Sequence, residues 1–314
     1  MSNLALISHQ AYFNHDTGHG HPEQPERLRA IFASLEASSV NNRITRITCS
    51  QAAEQEITAV HDRQYYQFAA ESISSGRRVL DEGDTVVSGG SFQAALYAAG
   101  AVIKGIDLLQ NGSLNRVFCA VRPPGHHAEK DRAMGFCIFN NVAIAARYAQ
   151  QAGLAENILI IDFDVHHGNG TQHIFEEDAG IFYYSMHQYP HYPGTGTTAE
   201  TGVGKGEGYN LNRPLPMGST DAVYIDALTK DLDLIEEKFK AGLVLISAGF
   251  DAHAEDPLAG MLLTEQGFWK ITEMICAYSW RHAGGKILSV LEGGYQLDAL
   301  GRSVVAHLDC LLKH

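Results

Sequence analysis

Side chains suited to binding a metal occupy three alternate positions of one segment, Asp162, Asp164 and His166, with apolar residues between them. In an extended chain, alternate side chains share one face, so these three are expected to point the same way. Two carboxylates and an imidazole on one side provide ligands for a divalent cation. For an isolated segment of this kind, a network that caps the next helix is the more ordinary interpretation.

Asp251 follows another apolar run and favours a metal site over a capping network. Together, Asp164, His166 and Asp251 give zinc three protein ligands and leave a fourth position open, as catalytic zinc sites require. Because two carboxylates formally cancel the charge of the metal, such a site is a weaker Lewis acid than one built from three imidazoles. The chemistry then needs a general base for water and a separate donor for a developing oxyanion.

Groups suited to both tasks occur elsewhere in the chain. His126 and His127 follow two prolines and a glycine, which restrict the backbone and allow close approach to a pocket. Tyr295 follows two glycines, and a phenol that is neutral near pH 7 can donate to an oxyanion without adding charge. Asp162 is placed to bind the imidazole of His126 or a monovalent cation, and Asn169 is placed to orient His127.

These residues follow short apolar runs that alternate with helical segments, a pattern that predicts a mostly parallel central sheet with helices on both faces, an α/β fold. In such a sheet, ligands bind beyond the carboxyl ends of the strands. Several predicted strands end in polar clusters, so their His, Asp and Tyr side chains are expected to converge at one edge. We predict strands at 4–7, 116–121, 158–163, 181–185, 243–247 and 287–291, and helices at 92–109, 142–151, 221–238 and 265–281.

Composition limits the classes of protein. With 314 residues, 45% of them hydrophobic, and no linker or repeat, the chain is expected to form a single domain over residues 1–314. The net charge of −13, without a basic patch, argues against a nucleic-acid partner. Five scattered cysteines without CxxC spacing favour a reducing compartment, with the cytoplasm as the default. We expect no signal peptide at residues 1–9, no apolar run long enough to span a membrane, and a long ordered loop at 194–208.

Taken together, the motifs resemble those of the zinc-dependent histone deacetylase superfamily, which includes bacterial deacetylases and acetylpolyamine amidohydrolases. The Pro-Pro-Gly-His-His-Ala segment at 123–128 and the Val-His-His-Gly-Asn-Gly segment at 165–170 are similar to the class II branch. The matching segments follow the family order over nearly the whole chain, at 21–28, 122–128, 135–137, 140–141, 162–170, 247–251, 256–257 and 291–295. The resemblance implies the arginase/deacetylase α/β fold and a single deacetylase catalytic domain.

The resemblance also implies roles for individual residues. It places one zinc ion on Asp164, His166 and Asp251, and it makes His127 the main base, His126 its electrostatic partner and Tyr295 the group that polarises the scissile carbonyl. It implies one or two structural potassium ions. The first would bind Asp162, Asp164, His166, Ser185 and Met186, and the second would bind Phe175, Asp178, Ile181 and Tyr209, largely through main-chain oxygens.

The same resemblance places the substrate, an acetylated lysine side chain or a small acetylated amine, in a tunnel between Phe136 and Tyr192. Gly135, Leu258 and Gly293 are the other expected substrate contacts.

Three positions depart from common family patterns: Tyr192 stands where Phe is usual, Asn169 replaces the Asp of class I members, and Leu258 replaces the Glu of the polyamine-selective eukaryotic branch. We expect a deacetylase of N-ε-acetyl-lysine in proteins or peptides.

Three alternatives stay open at this point. The first is an acetylpolyamine or other small-molecule amidohydrolase on the same scaffold. The second is an arginase-like enzyme with two manganese ions, which needs additional bridging carboxylates. The third is a catalytically silent module that binds acyl-lysine. The sequence also leaves the oligomeric state open, including a homo-oligomer.

Overall fold

The computed structural model describes residues 4–314; Met1–Asn3, part of the stretch expected to lack a signal peptide, lie outside the described residues. One sheet of eight parallel strands forms the centre, in the order β2-β1-β3-β8-β7-β4-β5-β6. The strands are β1 (Leu4–Ile7), β2 (Thr45–Ile47), β3 (Arg116–Cys119), β4 (Ile158–Asp162), β5 (Ile181–Gln188), β6 (Asn210–Leu215), β7 (Leu243–Ala248) and β8 (Ile287–Leu291).

Helices cover the sheet in two groups. One group packs in the sequence α1, α9, α8 and α7, and the other is centred on the pair α4 and α5. The central strands are buried along their whole length, so each contributes an apolar run rather than an alternating pattern. The helices are α1 (Glu26–Glu36), α2 (Glu54–Ile57), α3 (Arg63–Ser74), α4 (Ser91–Gln110), α5 (Asn141–Gln151), α6 (Asn169–Phe175), α7 (Asp221–Lys238), α8 (Glu265–His282) and α9 (Leu297–Lys313).

The predicted α/β architecture is confirmed, and all six predicted strands and four predicted helices are present. Two strands were missed, β2 and β6, and both lie at the edges of the sheet. Edge strands lack the continuous apolar run by which the central strands were predicted. Strand β2 exposes Thr45 and Arg46, and β6 carries polar residues and a proline. Helices α1, α2, α3, α6 and α9 were also not predicted.

The topology brings the polar strand ends together. The five strands whose ends carry the predicted clusters, β3, β8, β7, β4 and β5, are consecutive neighbours in the sheet. Because all strands are parallel, their carboxyl ends lie at one edge. Convergence of the clusters is therefore a consequence of strand order, as the sequence pattern predicts.

Two further predictions concern a membrane-spanning run and the loop at residues 194–208. Helix α4 is, within residues 4–314, the one helix long and apolar enough to cross a membrane, contrary to the expectation that no run would be. It is 72% buried over the relevant window, as is common for a core helix. Residues 194–208 form mainly irregular structure with one short 3-10 turn, Gly204–Gly206, in agreement with the predicted loop.

Candidate active site

Three side chains at the carboxyl edge form a compact cluster, Asp164, His166 and Asp251. One potential ligand atom from each lies within 4.8 Å of the others. His166 Nδ1 is 3.1 Å from Asp164 Oδ1 and 3.2 Å from Asp251 Oδ2. Asp251 Oδ2 is buried without a hydrogen-bond partner. A divalent cation fits this cluster, because it supplies the charge that an unpartnered buried carboxylate oxygen requires.

The charges in the cluster also fit a cation. Burial raises the pKa of Asp251, and the nearby charge of Asp164 adds to the effect. Burial opposes a charge on His166, but the adjacent carboxylates of Asp164 and Asp251 outweigh it and raise its pKa to about 10. The two carboxylates thus hold a proton on the imidazole where a metal ion would supply the positive charge instead.

The local backbone differs from the extended form expected at this segment. Strand β4 ends at Asp162, and the next residues turn. The N–H of Asp164 donates to Asp162 Oδ1 at 3.1 Å, and the N–H of His166 donates to Asp164 Oδ1 at 2.9 Å. Carboxylates that bond to the backbone two residues ahead hold the chain in turns. Asp162 lies outside the three-residue cluster, and the extended form on which the expected shared face depended ends at this residue.

Two glycines permit the carboxylates to approach the backbone. A Cβ at Gly249 would lie 2.0 Å from Asp164 Oδ2, and a Cβ at Gly293 would lie 2.0 Å from Asp251 Oδ2. The N–H of Gly293 donates to Asp164 Oδ2 at 2.8 Å. Gly293, expected from the resemblance to contact substrate, thus contacts the metal cluster.

His126 is bound to Asp162, as the sequence suggested. Its Nδ1 lies 3.0 Å from Asp162 Oδ2, which also accepts from the hydroxyl of Tyr183 at 3.0 Å. Burial opposes a charge on His126, but the carboxylates of Asp164 and Asp162 raise its pKa to about 10. His126 is therefore the positively charged member of the pair of histidines.

His127 is hydrogen-bonded to Asn169, and the contact of Asn169 with Glu129 determines which ring nitrogen of His127 carries the proton. Asn169 Nδ2 donates to Glu129 Oε1 at 2.6 Å, so the amide oxygen of Asn169 faces His127 Nδ1 at 2.7 Å. Because that oxygen only accepts, Nδ1 carries the proton and Nε2 keeps its lone pair. Burial lowers the pKa of His127, and the nearby His126 and His166 lower it further. His127 is thus a neutral imidazole with an available acceptor.

Tyr295 is held by its backbone. Its N–H donates to Asp256 Oδ2 at 2.7 Å, and the guanidinium of Arg27 lies 4.9 Å from the centre of its ring. Burial raises the pKa of Tyr295 well above its usual value, and Arg27 only partly opposes the effect. The phenol therefore stays protonated near neutral pH and remains able to donate.

A cavity of about 230 Å³ joins these groups. His127, His166 and Tyr295 lie on its wall together with the expected substrate contacts Gly135, Phe136, Tyr192 and Leu258. Tyr192 packs edge-on against His127 with ring centres 5.1 Å apart. Asp84 and His191 also line the cavity, and the sequence assigned a role to neither.

Comparison with known proteins identifies the family. The family model described as "Histone deacetylase domain" matches residues 21–311. The chain belongs to the histone deacetylase family. A probable deacetylase of Archaeoglobus fulgidus is 36% identical over 295 residues, covering 93% of this chain and 81% of that protein. The crystal structure of the HDA15 HD domain has a TM-score of 0.92 and 38% identity, covering 100% of this chain and 89% of that one.

The named relatives differ in substrate. The polyamine deacetylase HDAC10 of Homo sapiens is 36% identical over 301 residues, covering 92% of this chain but 44% of that protein. Histone deacetylase 5 of Arabidopsis thaliana is 37% identical over 328 residues, and the chain spans 49% of its length. The expected hydrolase acting on acetylated amides is confirmed at the level of the family.

The residues of the two expected potassium sites form two groups. Asp162 pairs in register with Ser185, which lies beside Met186 on β5, and Ser185 Oγ is 2.9 Å from His187 Nδ1. The second group comes from the end of α6, the turn before β5, the start of β5 and the residue before β6. There the carbonyl of Phe175 accepts from Asp178, that of Asp178 accepts from Ile181, and that of Tyr209 accepts from Tyr183.

Sequence reasoning missed four residues that hold this site. Glu129 orients Asn169, and Asp256 holds the backbone of Tyr295. Glu292 Oε2 accepts from the N–H groups of Gly125 and His126, at 2.6 and 3.1 Å. His191 stacks on His166. Glu129, Glu292 and Asp256 lie within or beside the motifs, but their contacts span 39 to 167 residues and leave no local signal.

Proposed function

We propose that this chain hydrolyses the acetyl amide of N-ε-acetyl-lysine in proteins or peptides, with one zinc ion on Asp164, His166 and Asp251. The observation that carries the proposal is the single cavity on which the ligand His166, the neutral His127 and the protonated Tyr295 meet. A cavity of about 230 Å³ suits one extended acyl-amine chain. Nitrogen and carboxylate ligands, with room for a fourth, fit a catalytic zinc site.

When bound, zinc supplies a Lewis acid that polarises the amide carbonyl and makes the attacking water more acidic. His127 accepts the proton of that water at Nε2, because Asn169 holds the other nitrogen protonated. His127 is then positioned to return the proton to the leaving amine. His126, charged and bound to Asp162, keeps the pKa of its neighbour low and so keeps His127 available as a base.

Tyr295 donates its hydroxyl proton in a hydrogen bond to the carbonyl oxygen as negative charge develops there. Two buried carboxylates already surround the metal position, so a neutral donor adds stabilisation without a further fixed charge. The contact of Arg27 with the ring and that of Asp256 with the backbone hold the phenol in place.

Acetyl-lysine is favoured by the walls of the cavity. Phe136, Tyr192 and Leu258 present largely apolar surface to the methylene chain of lysine. Leu258 carries no charge with which to attract a polyamine, and Asp84 is the one carboxylate among the described residues that line the cavity. The alternative substrate, an acetylated polyamine, retains support from the similarity to a polyamine deacetylase.

Several finer expectations belong to this proposal. Potassium would occupy the group around Asp162, Ser185 and Met186, and a second ion the group around Phe175, Asp178, Ile181 and Tyr209. All five cysteines are free and buried, which supports a reducing compartment such as the cytoplasm. Within residues 4–314, one cluster of three or more His, Cys, Asp or Glu residues suits a metal, which supports one metal ion rather than two manganese ions.

The deciding experiment is a deacylation panel on protein with measured metal content. We expect one zinc per chain and release of acetate from acetyl-lysine peptides faster than from acetylated polyamines. His127→Ala is the matched control: it should retain zinc and lose turnover. Turnover of acetylated polyamines alone would establish the alternative, two equivalents of manganese would contradict the metal site, and metal binding without turnover of any acyl amide would indicate a binding module.

A further inference from the structure

His191 is a residue of the cavity wall to which neither the motifs nor the proposed reaction assigns a role. It lies between Pro190 and Pro193, whose rings restrict the backbone on both sides. The side chain is half-buried and lines the same cavity as Tyr192 and Leu258. The backbone that places His191 in the cavity wall is therefore restricted by its neighbours in sequence.

Two contacts connect His191 to opposite parts of the site. Its ring stacks on that of the metal ligand His166, with centres 5.0 Å apart and planes inclined by 19°. Its Nε2 lies 3.0 Å from the carbonyl oxygen of Leu258, which only accepts, so Nε2 is the donor. One imidazole thus contacts a ligand of the metal and holds a residue that lines the substrate cavity.

Other hydrogen bonds also restrain the segment that carries Leu258. The N–H of Gly260 donates to Gln188 Oε1 at 2.9 Å, which ties the segment to the end of β5 two residues beyond Leu258. The N–H of Leu258 donates to Asp256 Oδ1 at 3.0 Å, a bond within the same turn. The side chain of His191 supplies a bond across 67 residues, from the loop after β5 to the loop after β7. Without it, the carbonyl of Leu258 loses its contact with this wall, while the bond two residues away at Gly260 remains.

We propose that His191 is a positioning residue: it fixes the Leu258 wall of the cavity through Nε2 and supports the orientation of His166 through its ring. The inference rests on the proposed function of the same cavity. The two roles use different parts of the imidazole. Substitutions that keep only one of them therefore separate the effects.

His191→Phe keeps a flat ring for stacking and removes the donor. Loss of one hydrogen bond is expected to raise KM for an acetyl-lysine peptide about fivefold, with kcat changed less than about twofold. The zinc dissociation constant should stay within about twofold of the wild-type value, because the ring contact remains. Zinc affinity is measured by competition with a fluorescent chelator, which requires no turnover.

His191→Gln keeps an amide donor and removes the ring. Its zinc affinity is expected to fall about tenfold, as is typical when a group that supports a metal ligand is lost. Its KM should rise less than that of His191→Phe. The control is His9→Phe, because His9 also stacks on an aromatic ring, that of Tyr97 at 3.7 Å, but does not line this cavity. We expect this control to match wild type in KM and zinc affinity.

The measurements distinguish failure of either role of His191 from failure of the proposed function. Wild-type values of KM in His191→Phe, or of zinc affinity in His191→Gln, would overturn the corresponding role. Equal losses of both quantities in both variants would show that His191 acts through general stability, and would overturn the inference. If the wild-type protein turns over no acyl amide, the proposed function fails, while the zinc measurements still decide the support of His166.

Discussion

At the scale of single residues, the direction in which His127 presents its lone pair depends on an amide and a carboxylate. Glu129 accepts from Asn169 and also lies 2.8 Å from His173 Nδ1, so its own position is fixed from two sides. That arrangement decides which end of the Asn169 amide faces His127. A neutral partner raises the pKa of His127 less than a carboxylate would, so burial and the nearby His126 and His166 keep this pKa low.

Replacement of Asn169 by Asp tests this dependence. A carboxylate about 2.7 Å from His127 Nδ1 favours the protonated imidazole and so raises its pKa. Because the base acts only when neutral, activity is then lost at a higher pH: the acidic limb of the kcat/KM profile is expected to move upward by about one pH unit. The measurement is a pH–rate profile of the zinc-loaded enzyme.

The new carboxylate would also face Glu129, so a double variant with Glu129→Gln restores a donor between the two positions. We expect the double variant to show the same displacement of the limb, with higher activity than Asn169→Asp alone. Asn169→Leu should lower kcat/KM at every pH, since it leaves the imidazole unoriented. A limb that stays in place in the double variant would refute the base role of His127.

Tyr295→Phe isolates the oxyanion donor. The substitution removes one hydroxyl and retains the ring contact with Arg27, so zinc binding and folding should be unaffected. We expect kcat to fall by about 10²–10³, the usual effect of losing one preorganised donor. Single-turnover kinetics at saturating substrate give the value, and a loss below tenfold would assign the donor role to another group.

At the scale of elements, the ligands Asp164 and His166 follow β4, and the loops after β7 and β8 pack against the ligand carboxylates. Each of these two loops needs a residue without a side chain at the point of contact. Gly249→Ala would place its Cβ 2.0 Å from Asp164 Oδ2, so this ligand must shift. We expect zinc affinity to fall at least about tenfold, with activity falling in parallel. Gly89→Ala is the control, since a Cβ at Gly89 would have no neighbouring atom of residues 4–314 within 4 Å. Equal zinc affinities in the two variants would contradict a packing requirement at Gly249.

The same elements show how far the sequence determines the site. Central strands were predictable because burial on both faces makes them continuous apolar runs, and β7 and β8 end within one residue of the predicted positions. Residues at their ends could therefore be assigned to one edge. Supports such as Glu129 and His191 could not, because their roles arise from contacts between loops distant in sequence. The turn after β4 was also missed, since it depends on side-chain bonds to the backbone.

At the scale of the whole molecule, several histidines are buried in a neutral state. Burial lowers the pKa of His61 to about 4, that of His167 to about 3 and that of His187 to about 4. His307 lies between α9 and the sheet, with Nδ1 2.7 Å from Thr272 Oγ1 and Nε2 3.0 Å from Ser289 Oγ. Burial alone lowers its pKa to about 3. These residues make the folded protein sensitive to acid independently of its metal site.

The consequence for stability follows from proton binding. Between the folded pKa of His307, about 3, and the unfolded value, about 6.5, the unfolded chain binds one more proton at this residue. The free energy of unfolding therefore falls as the pH falls through this range, by up to about 1.4 kcal/mol per pH unit for each such histidine.

His307→Gln removes one contribution, so we expect the free energy of unfolding to depend less steeply on pH between pH 6 and 4.5, measured by denaturant unfolding of the zinc-free protein. The exposed His19→Gln variant is the control and should keep the wild-type slope; an unchanged slope in His307→Gln would mean that this imidazole is protonated in the folded core.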